Sequence, residues 1–255
     1  MTIQTIVRSG LTVGAWTLAS RVAGLARDIV FAHSIGASTA ADAFFVAFKI
    51  PNFLRRLFAE GAFAQAFVPV FSEVSEREGK ASVRRLVDQV AGRFGLILCF
   101  VCAFGVLASP LLALLFAPGF SNDTYKIALT IDLLRWTFPY LGLISLVAFA
   151  GGILNSIGKF AVPAATPILL NISLIGSALF LSPLFDPPVL ALAIGVLVAG
   201  IMQLLIQIPP LRRSGLLPRP TLKADHPGLS KIIKLILPAL FAVSVGQINL
   251  LIDTV

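Results

Sequence analysis

Six basic residues stand in stretches that are otherwise apolar: Arg21, Arg27, Lys49, Arg55, Arg56 and Arg135. Three carboxylates accompany them, Asp28, Asp42 and Glu60. A guanidinium presents a planar fork of donors that matches phosphate better than an ammonium does. The chemistry these residue types point to is capture of an anion, a phosphate or diphosphate foremost. A second constellation lies near the end of the sequence, where Asn249 precedes Asp253 by one turn and Thr254 stands beside it. One carboxylate with neutral oxygens at that spacing suits a hard cation such as Na⁺. The alternative is a carboxylate facing residues beyond position 255.

Enzymatic signals are weak. The chain has no H-E-x-x-H and no G-x-S-x-G, and no catalytic residue is assigned. His33 and His226 fall in loops and are expected on solvated surface. Cys99 and Cys102 form a C-x-x-C inside the apolar run LILCFVCAFGVLA, where small packing residues are expected rather than a redox pair. Ser20-Arg21 resembles the Ser-Arg pair of membrane lipid-phosphate phosphatases, but the downstream histidine such enzymes need is missing. No cofactor is expected, although Na⁺ or proton coupling fits Asp253.

The elements that position these residues follow from composition. Of 255 residues, 57% are hydrophobic and 13% charged, with mean hydropathy +0.94. Soluble domains run at about 45–50% and about 25%. So apolar a chain cannot cover its surface with polar groups, and so sparse a charge does not describe a disordered one. An all-α polytopic membrane bundle remains. The net charge of +8 then belongs to basic loops meeting anionic membrane lipids, and nucleic acid is not expected as a partner.

A span needs about 20 apolar residues. Seven segments qualify: 7–32, 41–70, 94–117, 127–151, 162–182, 188–210 and 229–255. The N-terminus lacks a cleavage site and reads as the first span. Thirteen basic residues fall before the first span or in alternate loops, counting Lys231 and Lys234 at the start of the last span. The loops 33–40, 118–126 and 183–187 hold one, Lys126. This bias predicts a cytoplasmic N-terminus. The domain reading is residues 1–211 with six spans and a cytoplasmic hairpin at 71–93, a cytoplasmic linker at 212–228, and a seventh span at 229–255. No polar tail follows that span, so the chain is read as the front of a longer one. Pro51, Pro139, Pro163, Pro167 and Pro238 punctuate the spans.

Each charge at mid-depth costs about 2.5–3.5 kcal/mol, against a return of about 0.5 kcal/mol per leucine. Span 1 carries three, so one side of it is expected to face a polar interior. Arg21 and Asp28 are seven apart, within about 20° of each other on a helix, and Ser20 and Arg27 form a row about 100° round. In span 2, Asp42, Lys49, Arg56 and Glu60 share a stripe, while Pro51 makes the phase of Arg55 uncertain. Pairing of Arg56 with Glu60, Arg27 with Asp28, or Asp132 with Arg135 is the structural alternative. With Lys231 and Lys234 assigned to the loop, six basic groups stand against five carboxylates across the spans, so pairing does not absorb them all. A hydrated cavity lined by guanidinium groups is expected, suited to an anionic, lipid-linked ligand.

The runs Ser20-Arg21-Val22-Ala23-Gly24-Leu25-Ala26-Arg27-Asp28, Ala41-Asp42-Ala43-Phe44-Phe45-Val46-Ala47-Phe48-Lys49-Ile50-Pro51-Asn52 and Leu54-Arg55-Arg56-Leu57-Phe58-Ala59-Glu60-Gly61-Ala62-Phe63 resemble the MurJ (MviN) family. These are lipid II flippases of the multidrug/oligosaccharidyl-lipid/polysaccharide exporter superfamily. Thr137-Phe138-Pro139-Tyr140 and Leu170-Asn171-Ile172-Ser173 agree. The resemblance implies a transporter in the bacterial cytoplasmic membrane, with lipid II (an undecaprenyl-diphosphate-linked muropeptide) as substrate. The family has about fourteen spans in two lobes, so it also implies that the chain is the N-lobe plus the first span of a C-lobe, with the rest of the same protein as partner. It places the family's cavity arginines on Arg21, Arg27 and Arg55 and its acidic residue on Asp42, with Asn52 and Glu60 at flanking positions. Asp253 falls where some members hold a cation ligand. A flippase for another prenyl-linked saccharide, a drug exporter, and a membrane fragment without transport activity are the alternatives.

Overall fold

The computed structural model describes residues 3–55, 62–223 and 225–252. Ten α-helices follow in order among the described residues: α1 (Ile3–Ser34), α2 (Thr39–Arg55), α3 (Ala64–Arg77), α4 (Lys80–Leu107), α5 (Ser109–Phe116), α6 (Thr124–Ser156), α7 (Ala161–Gly176), α8 (Val189–Leu205), α9 (Ile208–Ser214) and α10 (Pro227–Ile252). No strand occurs among the described residues. In hydrocarbon every backbone N–H and C=O must be satisfied within its own segment, so apolar runs of this length become helices. Stop signals divide them. Gly79, at φ +79°, turns the chain between α3 and α4, and Gly215, at φ +73°, ends α9. Asp123 opens α6 by accepting from the Lys126 N–H at 3.0 Å.

Five stretches are long and apolar enough to cross a membrane among the described residues: Lys80–Leu107, Thr124–Ser156, Ala161–Leu184, Val189–Ser214 and Pro227–Ser244. The other two expected spans differ for a physical reason. At 32 residues α1 is long enough, but Arg21, Arg27 and Asp28 reduce its apolar character. Residues 41–70 comprise α2 and the start of α3, which flank positions outside the described residues. Pro163 lies in the first turn of α7, where its missing N–H breaks no bond, so it does not punctuate that span. Pro51, Pro139, Pro167 and Pro238 do lie inside helices.

α6 is the spine. Much of its length is buried, and α2, α3, α4, α5 and α8 pack on it. Two clusters surround it. One gathers Phe44, Leu133, Leu134, Tyr140 and Val196. The other, at the end carrying the α3–α4 turn, gathers Phe63, Phe67, Phe71, Leu86 and Phe149. Close approach needs a missing side chain at Gly105 of α4, where a Cβ would stand 1.8 Å from the Phe138 ring. Away from these clusters the surface is apolar. Leu18, Phe100, Phe104 and Leu107 are each about two-thirds exposed or more, as a lipid-facing surface requires.

The basic segment 71–93 is helical apart from its turn, because α3 runs to Arg77 and α4 starts at Lys80. The linker is shorter than 212–228, since α9 extends to Ser214 and α10 begins at Pro227. Its extended part lies against α4: Asp88 accepts from the Arg219 N–H at 2.6 Å, and its carbonyl accepts from the Thr221 N–H at 3.1 Å. His226 corrects an expectation. It is only 6% exposed, because it starts α10. Its Nδ1 accepts from the Gly228 N–H at 3.0 Å, and its Nε2 lies 2.9 Å from Ser82 Oγ. His33 is exposed, as expected.

Candidate functional site

The polar face of α1 meets α7. Arg27 donates to the Asp28 carboxylate through Nε at 2.9 Å and Nη2 at 2.7 Å, and through Nη1 to Asn171 Oδ1 at 3.1 Å. Asn171, buried in α7, donates in turn to the Ser20 carbonyl at 3.2 Å. One amide thus holds both members of the Ser20–Arg27 row. Gly24 lies between them, and a Cβ there would stand at ordinary contact distance, 3.8 Å, from Asn171 Nδ2. Arg21 and Asp28, on the neighbouring row, are exposed. Arg21 makes no hydrogen bond or ion pair among the described residues. The Arg27 side chain is 26% exposed, so it is neither sealed nor fully solvated.

Arg55 stands at the end of α2, and its Nε donates to Asn52 Oδ1 at 3.0 Å, three residues earlier. It lines a cavity of about 420 Å³ bounded by α2, α3, α6, α7 and α8. Leu170 of α7 lines the same cavity, and its neighbour Asn171 holds Arg27. α7 therefore links the two arginines without placing them in one pocket. Among the described residues α1 and α2 touch only near their connecting turn, where Phe31 meets Phe44 and Phe45 with ring centroids 6.2 and 6.3 Å apart. Beyond that turn α1 follows α7, and α2 follows α6 and α8.

Asp42, at the opposite end of α2, accepts from Lys126 Nζ at 2.7 Å. The Lys126 ammonium also lies 4.0 Å from the centre of the Phe120 ring. Its partner therefore comes from α6 of the same bundle. Asp132 and Arg135 pair at 3.0 Å on an exposed face, the structural outcome weighed for them. Lys49 is exposed. Arg56, Glu60, Asp253 and Thr254 lie outside the described residues. Asn249 sits on α10, but its side chain is outside them too. No group of three or more His, Cys, Asp or Glu able to hold a metal occurs among the described residues.

Charge alone did not reveal Asn171, Gln203, Gln207 or the Lys126 partner of Asp42. The signal available for the first three was an amide inside an apolar run, where an unpaired polar group is costly.

A helical bundle with lipid-ready surfaces and arginines along two of its helices is a multi-pass membrane protein. Its relatives identify it further. The family model described as lipid II flippase MurJ matches residues 31–255. The Haemophilus influenzae protein described as a probable lipid II flippase MurJ is 49% identical, over 94% of this chain and 48% of that protein. The Vibrio cholerae protein of the same description is 47% identical, over 98% of this chain and 49% of that one. The Burkholderia cenocepacia lipid II flippase MurJ is 40% identical, over 98% and 49% respectively. A solved lipid II flippase MurJ in an inward closed conformation superposes with a TM-score of 0.76 at 30% identity, over 95% of this chain and 50% of that structure. The chain belongs to the lipid II flippase MurJ family. It spans about half the length of the curated relatives it matches.

Proposed function

We propose that this chain forms the N-lobe, and begins the C-lobe, of a flippase that carries lipid II from the inner to the outer leaflet of the bacterial cytoplasmic membrane. Membership of the family carries the reading. The placement of Arg21, Arg27 and Arg55 supports it, because Arg21 is exposed on α1, Arg27 is held by Asp28 and Asn171 with its side chain still 26% exposed, and Arg55 lines a cavity with Asn52 accepting from its Nε.

In this mechanism the lobes alternate between inward-open and outward-open states. The three guanidinium groups hold the diphosphate inside, and the prenyl tail stays in lipid. Asn52 positions Arg55, Glu60 flanks it, and Asp42 keeps the outer end of α2 closed through Lys126. The N-terminus is cytoplasmic, which puts the basic α3–α4 turn, α9 and the linker on the same side. Membrane potential or a cation gradient acting at Asp253 and Asn249 drives the return, since a unit charge crossing 100 mV is worth about 2.3 kcal/mol. The test is a translocation assay with the full-length gene product containing these residues, given lipid II, another prenyl-linked saccharide, or a drug cation. Lipid II should move and the drug should not. Preference for the drug would replace this reading with that of an exporter.

A further inference from the structure

The cavity beside Arg55 belongs to the site already described. There Gln203 of α8 and Gln207 just beyond it fasten neighbouring helices, donating to the Thr166 and Val147 carbonyls at 2.8 and 3.0 Å. A second charged cavity, of about 390 Å³, is lined by Thr12 of α1, by Lys159, Phe160 and Val162 around the start of α7, and by Pro210 and Arg213 of α9. It lies at the end of the bundle carrying the α3–α4 turn, since Leu154 and Leu211, close to its walls in sequence, pack with Phe71 and Leu86. The arginine mechanism uses none of these groups.

The charge in this cavity is positive and unopposed. Among the described residues that line it none is acidic. The Lys159 ammonium donates to Ser214 Oγ at 2.8 Å, and that hydroxyl donates to the Pro210 carbonyl at 2.7 Å. The lysine is thus tied to the end of α9 by a neutral group. Its backbone is fixed as well: the Lys159 N–H donates to the Leu154 carbonyl at 2.8 Å, and Gly158 before it takes φ +76°, which favours glycine. Arg213, one residue before Ser214, is exposed and makes no hydrogen bond or ion pair among the described residues.

Two cations in one cavity repel until an anion comes between them. The rest of the wall is apolar, with Phe160, Val162 and Pro210. A free inorganic anion would engage the cations alone, whereas an anionic head joined to an apolar body engages both parts of the wall. Basic pockets between membrane helices bind lipid heads of this kind.

We propose that this cavity binds the phosphate head of an anionic glycerophospholipid, with Lys159 and Arg213 as its counter-ions. A lipid held there bridges α1, which otherwise follows α7, to α9. The site is separate from the one proposed for the substrate, and it requires only that the chain lies in a membrane.

The test titrates the full-length gene product in detergent with phosphatidylglycerol or phosphatidylcholine and reads the first bound lipid by native mass spectrometry. Phosphatidylglycerol should bind, and phosphatidylcholine, whose phosphate is balanced by its own ammonium, should bind far more weakly. Lys159→Gln with Arg213→Gln, both at exposed positions, should weaken phosphatidylglycerol about thirtyfold. Lys159→Arg with Arg213→Lys should retain most of the binding. Arg85→Gln with Lys223→Gln removes the same charge from exposed positions outside the cavity and should cost far less. Equal losses in the two glutamine pairs would mean diffuse attraction to a basic face and would overturn the site, as would equally tight phosphatidylcholine. Displacement of phosphatidylglycerol by inorganic phosphate would overturn the lipid and leave a free anion in its place. Lipid II binding should be unchanged by Lys159→Gln with Arg213→Gln; its loss would make the cavity part of the substrate path and end its separate role.

Discussion

α1 and α6 are nearly equal in length, 32 and 33 residues, yet they occupy opposite situations. α6 buries residues along its length, from Leu129 through Phe138 and Phe149 to Leu154. On α1 Phe31 is buried, and Leu11, Leu18, Val22, Leu25 and Ile29 stand more than 60% exposed. The spine is held by packing that tolerates almost no change, while the arginine-bearing helix is held along one seam by α7. The lesson is that α1 can carry Arg21 and Arg27 because it has little packing to lose. Where α6 is enclosed a charge would have to be desolvated on all sides, and its own pair, Asp132 and Arg135, sits on an exposed face; on α1, Arg27 is served by Asp28 and Asn171.

The sharpest way to break this contrast is to add volume to each helix's surroundings. Gly105→Val on α4 should be severely destabilising, because its Cβ falls against the Phe138 ring of α6 at 1.8 Å. Overpacking of this kind costs roughly 1–3 kcal/mol and often more. Gly14→Val on α1, with nothing within 4 Å of the added Cβ, should leave the melting temperature in detergent nearly unchanged. Similar losses for the two would mean that α1 is packed as tightly as the spine.

Charge removal should reverse the ranking when the readout is function. In the full-length gene product, Arg27→Ala and Arg55→Ala should abolish rescue of flippase-depleted cells at normal expression. Arg135→Ala, whose partner Asp132 lies on an exposed face of α6, should rescue. An Arg55→Ala variant that rescues normally would remove Arg55 from the site.

A smaller effect is expected at the far end of α2. Lys126→Glu should reduce translocation several-fold by placing two carboxylates together, and the exchange Asp42→Lys with Lys126→Glu should recover most of it. Failure of the exchange would mean that Asp42 answers to another group.

The smallest effect is a pH dependence where α10 docks on α3. The Lys231 ammonium beside Glu73 holds that carboxyl below its ordinary value of 4.5, with Arg77 adding to the effect. A depressed carboxylate stabilises above its unfolded pKa, and the contribution is lost as pH falls through the folded value. The melting difference between the parent and Glu73→Gln should be present at pH 6 and fade below about 4.5. It should also be small, because the pair is exposed to solvent. A difference that grows with acidity would reverse the assignment.

How much could be read beforehand differs between charge and amide. Residues that cost several kcal/mol at membrane depth announce themselves, so Arg21, Arg27, Arg55 and Asp42 stand out as candidates, and the Asp132–Arg135 pair was legible. Amides carry no such mark. Asn171, Gln203 and Gln207 look like ordinary polar residues in apolar runs, and their importance comes from which carbonyl or guanidinium lies opposite. His226 misled for the same reason. A loop histidine is usually solvated, and here the loop folds back on α4 and buries it.

The all-α membrane class was settled along the chain, because backbone satisfaction in lipid acts within each segment, whereas the seven expected spans are divided into ten α-helices among the described residues. Partnership was settled by the tertiary structure alone. Whether Arg27 would meet Asp28 only or Asn171 as well, and whether Arg55 would face lipid or a cavity, depended on helices more than a hundred residues away. Hydrogen bonds reach about 3 Å, and local sequence carries no record of what will stand at that distance.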